Sequence, residues 1–274
     1  MKNGCVISRV QDSLKRNLIT WDDFQWRLPP AQDGEEEEES VMGSSSRRRR
    51  VVVRYVGGVD LSFSRDDPSI ACGVLVVLDL QTLQVVYEDY SLVSLQIPYI
   101  PGSLAFREAP VLLGLLRKMK ANSHPFYPEV AVWFYIIHRT FTIMVLMVDG
   151  NGLLHPQGFG LACHLGVLAD LPTIGVGKSL HHIDGITKPR VRELVESAEN
   201  STNTILSLKG DSGFAWGAAV CSTNSSSKPI FISVGHRISL DTAITLVRMT
   251  CKFRIPEPIR QKLQVLGTKV ALRT

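Results

Sequence analysis

Apolar positions in this chain follow two periods, and the switches between them mark its predicted elements. From Val51 onward, three stretches rich in Val, Leu and Tyr run over Val51 to Ser64, Ile70 to Leu78 and Gln84 to Leu95. They are separated by Asp66-Asp67-Pro68-Ser69 and by Asp79 to Leu83, both short and turn-forming, which predicts three strands in an antiparallel meander. Leu104, Val111, Leu112, Leu115, Leu116 and Met119 then recur near helical spacing, predicting a helix over Ser103 to Lys120 with Ser103 as its cap. Pro110 inside that span predicts a late start or a kink. A strand ending at Asp149 comes next, followed by a helix over Phe159 to Ala169 and a short strand over Pro172 to Val176. The remainder predicts a helix over Pro189 to Glu199, strands near Thr204 to Leu208, Phe214 to Cys221 and Ile230 to His236, and a helix over Leu240 to Lys252 capped by Ser239. This order is that of an α/β chain with a mixed sheet.

Before Val51 the pattern differs. Val10 to Asn17 is helix-like, Trp21-Asp22-Asp23-Phe24 follows, and Pro29-Pro30 ends regular structure. Ala31 to Arg50 joins an acidic run, Glu35 to Glu39, to Gly43-Ser44-Ser45-Ser46 and a basic run, Arg47 to Arg50; such blocks solvate well and pack badly. The expected organisation is a helical segment over 1–30, a disordered charged linker over 31–50, one folded domain over 51–262 and a tail over 263–274.

Composition narrows the class. With 274 residues, 45% hydrophobic and 20% charged, the chain can bury a sizeable core. Its net charge of +4 permits an anionic partner without demanding one. Cys5, Cys72, Cys163, Cys221 and Cys251 are odd in number and nowhere arranged as CxxC, which argues against a disulfide framework and a zinc site and for a reducing compartment. The N-terminus lacks the apolar core of a signal peptide, and the longest apolar stretch, Ala131 to Val148, holds His138 and Arg139 at its centre, which a bilayer would penalise. The expected setting is intracellular, in the nucleus (nucleolus included) or the cytoplasm, with no membrane contact; Arg47 to Arg50 suit nuclear import or phosphate contact.

The strongest chemical signal is Met147-Val148-Asp149-Gly150-Asn151-Gly152, where an apolar run ends on an acid followed by glycines. An α/β sheet places its sites at the carboxyl ends of strands, and glycine lets the backbone approach a ligand closely. Asp60 lies inside the first strand, in Gly57-Gly58-Val59-Asp60-Leu61-Ser62-Phe63, where a charge needs a partner or a metal. If the meander and the strand at Asp149 share a sheet, the two carboxylates can lie on neighbouring strands, and Glu108 on the following helix can add a third oxygen ligand. Such a cluster suits a hard divalent cation. Each acid taken alone also has an ordinary structural role: a buried hydrogen bond for Asp60, a solvated helix face for Glu108, a turn cap for Asp149.

Taken in order, Gly57 to Phe63 (GGVDLSF), Pro98 to Pro110 (PYIPGSLAFREAP), Val148 to Gly166 (VDGNGLLHPQGFGLACHLG), Pro172 to Lys178 (PTIGVGK), Gly210 to Gly213 (GDSG) and Ser233 to Leu240 (SVGHRISL) resemble the endonuclease V family of inosine-directed nucleases. The resemblance runs from Val56 to Arg260, and Cys251 to Pro258 (CKFRIPEP) looks like the eukaryotic branch. It implies a ribonuclease-H-like fold, a central mixed sheet of antiparallel meander and parallel strands flanked by helices. It also implies that Asp60, Glu108 and Asp149 bind Mg²⁺, with Mn²⁺ able to substitute, and that Lys178, His155 and His236 complete the catalytic set, His236 with a further role toward the metal. Tyr99, with Pro98, Ile100 and Pro101, matches the family's wedge into the nucleic-acid stack; the backbone at Gly102, Leu104, Gly150 and Gly152 matches its base pocket. The implied activity, of a monomer, is Mg²⁺-dependent cleavage of inosine-containing single-stranded RNA, or deaminated DNA in a repair role, at the second phosphodiester 3′ to inosine. The ends left are 5′-phosphate and 3′-hydroxyl.

One stretch departs from the family. Ala131 to Val145 (AVWFYIIHRTFTIMV) is extra chain between Tyr127-Pro128-Glu129-Val130 and the strand ending at Asp149. Two outcomes are open: Phe141 to Val148 forms the strand and the rest loops out, or the insertion disturbs the sheet beside the aspartate. The second would leave a catalytically impaired inosine-RNA binding protein. A general nuclease of the same fold, without use of the Tyr99 wedge, is a third reading.

Overall fold

The computed structural model describes residues 2–23, 26–28, 51–96, 104–127, 144–197, 204–222 and 228–261. The expected linker over 31–50, the wedge Pro98 to Pro101 with Gly102, most of the 131–145 insertion and the tail over 263–274 lie outside them.

A helix, Lys2–Lys15 (α1), precedes two short parallel strands, Trp26–Arg27 (β1) and Val51–Val52 (β2). The meander follows as Tyr55–Phe63 (β3), Ile70–Asp79 (β4) and Val85–Ser94 (β5). The single strand expected from Val51 is therefore broken at Val53 and Arg54, where the Arg54 carbonyl accepts from the Leu80 amide at 2.8 Å. Next come Leu104–Ala121 (α2), Met144–Asp149 (β6), Leu161–Ala169 (α3), Thr173–Gly177 (β7) and Lys188–Ser197 (α4). Ile205–Lys209 (β8), Ala215–Val220 (β9), Ile230–His236 (β10), Leu240–Met249 (α5) and Glu257–Arg260 (α6) complete the described elements.

Eight strands form one sheet in the order β5-β4-β3-β6-β7-β10-β9-β8. The β3–β6 and β6–β7 pairs are parallel and the others antiparallel. This is the mixed α/β sheet flanked by helices that the sequence predicts. β6 pairs in register with both neighbours, Val59 opposite Val148 and Val148 opposite Gly175, so the sheet at Asp149 is intact despite the preceding insertion. Met144 through Val148 are all buried, as a central strand covered on both faces requires.

Two helical layers cover the sheet. On one face α2 and α3 seat Leu112, Leu116 and Leu165 against Val59, Leu75, Val77, Leu146 and Val148. On the other, α5 and α6 seat Leu246, Val247 and Ile259 against Val56, Val74, Val76 and Met147. These residues alternate along β3, β4 and β6 as the strand pleat dictates. Pro110 does not delay α2, which begins six residues earlier. The ring is on the exposed side, where water can satisfy the carbonyl it leaves free. Burying Leu112 and Leu116, at about 1.5–3 kcal/mol each, outweighs a lost hydrogen bond of about 1 kcal/mol.

Ser239 caps α5 as expected, its side chain accepting from the Thr242 amide. The N-terminal segment is tied to the same place: the Asp22 carboxylate accepts from the Ser239 amide, the Ser239 hydroxyl and the Thr242 hydroxyl, each at 2.8 Å. Among the described residues, no helix is long and apolar enough to cross a membrane.

α6 is seated on β3 through a contact that only glycine permits. A Cβ on Gly58 would lie 1.9 Å from the Pro258 carbonyl oxygen and 2.3 Å from its carbon. Because the obstacle is backbone, Gly58→Ala is expected to destabilise the fold by about 1–3 kcal/mol or more, read as a lowered urea midpoint. A variant of unchanged midpoint would show that α6 is not seated there.

Candidate active site

The carboxyl ends of β6 and β7 carry Asp149 and, one residue past the strand, Lys178. Their side chains form an ion pair, with the carboxylate largely buried and the ammonium about half exposed. Asp60 sits on β3 one rung beyond the Val59–Val148 pair, so the parallel register sets it beside Asp149, and the pleat turns both side chains to the same face. One Asp60 carboxylate oxygen accepts from the Leu61 amide at 2.7 Å, and the residue is 8% exposed.

Glu108 reaches this end from α2, with 7% of its surface exposed. Burial, and then the nearby Asp149 carboxylate, push its carboxyl up to about 7, while Arg107 works in the opposite direction. Arg107 is itself held elsewhere: its guanidinium donates to the Pro68 carbonyl at 2.6 Å and lies over the Phe63 ring. Glu108 thus carries its proton through much of the range in which an isolated carboxylate would be ionised.

The three acids form an all-oxygen, all-carboxylate donor set, the chemistry that hard divalent cations select. Among the described residues, however, no three His, Cys, Asp or Glu side chains converge tightly enough to ligate a metal as they stand. Asp149 is turned to Lys178 and Asp60 to the Leu61 amide, so the residue types fit a cation while the arrangement is the one a lysine neutralises.

Other residues singled out in the sequence take different places. His155 lies beside His181, ring centroids 6.1 Å apart, and its Nδ1 accepts from the Gln157 amide. Burial, then His181 and Lys15, lower its pKa to about 4, so at neutral pH it is an uncharged imidazole whose proton is assigned to Nε2. It can exchange hydrogen bonds but brings no positive charge to a phosphate.

His236 is not brought to the acids. β10 runs antiparallel to β7, so His236 pairs with Thr173, whereas Asp149 pairs with Val176, three residues and about 10 Å along the strand. Its Nδ1 accepts from the Ile19 amide at 3.2 Å, and its Nε2 is 3.8 Å from Asp170. Burial is the main cause of its lowered pKa. Through the Ile19 amide His236 joins the N-terminal segment to the sheet.

Gly152, expected in a base pocket, has both backbone groups engaged within the protein. Its amide donates to the Ser233 hydroxyl at 2.9 Å and its carbonyl accepts from the Gly160 amide at 2.9 Å. A Cβ there would meet the Val234 carbonyl oxygen at 2.0 Å, so close packing on β10 explains the glycine. Gly150 remains half-buried beside the Leu161 side chain, and Leu104 opens α2 near Glu108. The GDSG turn is clamped by Asp184, which accepts from the Ser212 amide and hydroxyl and from the Trp216 indole.

Sequence reasoning passed over two residues at this end. Asn151 is 9% exposed, and its carboxamide oxygen lies where a Cβ on Gly177 would be, 2.4 Å away. Arg254 donates to the Lys178 carbonyl. Asn151 was flanked by more conspicuous glycines, and nothing local in CKFRIPEP announces that Arg254 reaches Lys178.

Comparison with known proteins agrees with this geometry. A family profile described as Endonuclease V matches residues 37–262. The curated human endonuclease V is 40% identical over 253 residues, covering 92% of this chain and 78% of that protein. The crystal structure of the catalytic domain of human endonuclease V superposes with a TM-score of 0.78 at 36% identity, covering 97% of each chain. An endonuclease V from Ciona intestinalis, solved in complex with a 23mer DNA containing an inosine followed by a ribo-adenosine, superposes with a TM-score of 0.76 at 28% identity, covering 100% of this chain and 99% of that one.

The Glu108 environment sets a pH dependence of stability. Its carboxyl titrates near 4.5 when unfolded and near 7 when folded. Its favourable contribution is therefore complete below pH 4.5 and is lost as pH rises through 7, a change of roughly 3 kcal/mol. Glu108→Gln should remove that slope. Urea unfolding in EDTA at pH 5 and pH 8 is expected to show the variant gaining stability over wild type at the higher pH, and equal slopes would contradict the assignment.

Proposed function

Because this chain belongs to the endonuclease V family, we propose that it is a Mg²⁺-dependent nuclease acting on inosine-containing single-stranded nucleic acid, with RNA as the main substrate. Hydrolysis falls at the second phosphodiester 3′ to the inosine and leaves 5′-phosphate and 3′-hydroxyl ends. The observation that carries the reading is the Asp149–Lys178 ion pair at the ends of β6 and β7, with Asp60 one strand away and Glu108 within electrostatic reach of Asp149. The ribo-adenosine that follows the inosine in the Ciona intestinalis complex supports the lean toward RNA.

Asp60, Glu108 and Asp149 would hold the cation, whose chemistry when bound is to polarise the phosphodiester and lower the pKa of an attacking water. Lys178, paired with Asp149, would supply a point charge able to stabilise negative charge growing on the phosphoryl oxygens. Buried beside Asp149, Glu108 is protonated below about pH 7, so it becomes a full anionic ligand only once a further positive partner offsets burial and Asp149. Neutral His155 is suited to a hydrogen bond with substrate or water and not to charge pairing. β6 in unbroken register holds Asp149 on a rigid element, as a precise site requires.

Matched single-stranded RNA oligomers differing only in one inosine or adenosine test this directly. With Mg²⁺, the inosine strand should be cut at the second phosphodiester on its 3′ side, EDTA should stop the reaction, and Asp149→Ala should lower kcat by about 10² to 10³. Equal cutting of the adenosine strand, or cutting that survives Asp149→Ala, would overturn the reading.

A further inference from the structure

The paired part of β7 ends at Gly177, opposite Phe231 near the start of β10. Just past this edge, the carbonyls of Lys178, Lys228 and Pro229 lie outside the strand ladder, and backbone carbonyls in such places need donors. One side chain supplies them all. The Arg254 guanidinium donates from Nε to the Lys228 carbonyl at 3.0 Å and from Nη2 to the Lys178 and Pro229 carbonyls at 3.2 and 2.9 Å. The planar fork presents several donors in fixed directions, which a lysine ammonium cannot reproduce.

Arg254 is itself fixed on its main-chain side, where its carbonyl accepts from the Ser222 hydroxyl at 2.8 Å. It stands in the short connection between α5 and α6, and α6 places the Pro258 carbonyl against Gly58, two residues before Asp60 on β3. The α6 side of the connection is fastened by the Glu257 amide donating to the Thr250 carbonyl at 2.9 Å and by a two-pronged Arg260–Glu257 pair at 2.8 Å. One stretch of chain thereby braces both the strand of Asp60 and the turn that carries Lys178.

We propose that Arg254 is a positioning residue for the nuclease reaction: by clamping the Lys178 carbonyl it fixes the backbone from which the Lys178 ammonium reaches Asp149. The inference rests on the function proposed above. The hydrogen bonds of the Arg254 side chain to Lys228, Lys178 and Pro229 all end on backbone carbonyls, so the proposed effect on the reaction passes through Lys178. Losing the clamp leaves the lysine in place chemically but loosens its aim, and small misplacements of a catalytic group cost rate much more than binding.

A double-mutant cycle tests this. Arg254→Gln should lower kcat on the inosine RNA by about 10- to 100-fold with KM changed less than about 2-fold. Combined with Lys178→Ala, it should add almost nothing to the loss from Lys178→Ala alone. Arg254→Lys, which keeps the charge and serves as the fallback should Arg254→Gln not fold, should lose kcat in the same sense. Losses that add in the double variant, or that fall on KM alone, would overturn the proposal. A readout independent of activity is the ¹³C-dimethyl-lysine NMR spectrum of the protein in EDTA, with the Lys178 signal identified by its absence in Lys178→Arg. In Arg254→Gln that signal should move to the position of exposed lysines, and an unmoved signal would refute the clamp. Should the wild-type protein fail to cut inosine RNA, the functional reading falls, and the lysine signal still decides the role of Arg254.

Discussion

Everything at the carboxyl edge of this sheet depends on one electrostatic constraint: carboxylates gathered in a poorly solvated place cannot all stay ionised without a positive partner. Asp60 and Asp149 are set side by side by the β3–β6 register, and Glu108 on α2 feels the Asp149 charge. Two means of relief are visible. Glu108 holds a proton up to about pH 7, and the Lys178 ammonium lies on Asp149. Were Asp60, Glu108 and Asp149 to hold the divalent cation proposed above, its charge would be a stronger third.

The scaffold meets that constraint by holding the charged groups on rigid, mutually braced elements. β6 is buried along its length and paired on both sides, so Asp149 has little freedom. Helices α2 and α3 press on one face, while α5 and α6 press on the other; α6 sets Pro258 against the strand of Asp60, and the connection between α5 and α6 brings Arg254 to the turn that carries Lys178. The N-terminal segment contributes at a distance, with Asp22 on the start of α5 and Asp23 on Arg237. It belongs to the packed body of the protein, although composition alone sets it apart from the domain that follows.

Much of this was legible in the sequence because the signals are local. The meander, α2, α3, β7 and α5 with its Ser239 cap follow from periodicity, turn residues and caps within windows of a few residues. That Asp149 ends a strand and Asp60 lies inside one is equally local. What escaped depends on long-range pairing. His236 resembled a site residue by its motif, yet the antiparallel direction of β10 carries it to the far end of β7. The missing Cβ of Gly152 makes room for the Val234 carbonyl, 82 positions further along the chain, a contact that no local pattern announces. Arg254 offered no local sign because its three partners are carbonyls on other segments, and backbone carbonyls are the same at every residue.

The central claim is that acids from two neighbouring strands and one helix act as a single divalent-cation site. Titrating the purified protein with Mn²⁺ and following the free ion by electron paramagnetic resonance tests this most directly. The account predicts saturable binding in the wild type that is lost in both Asp60→Asn and Asp149→Asn, although these residues lie 89 positions apart and in different strands. Binding that survives either substitution unchanged would contradict it.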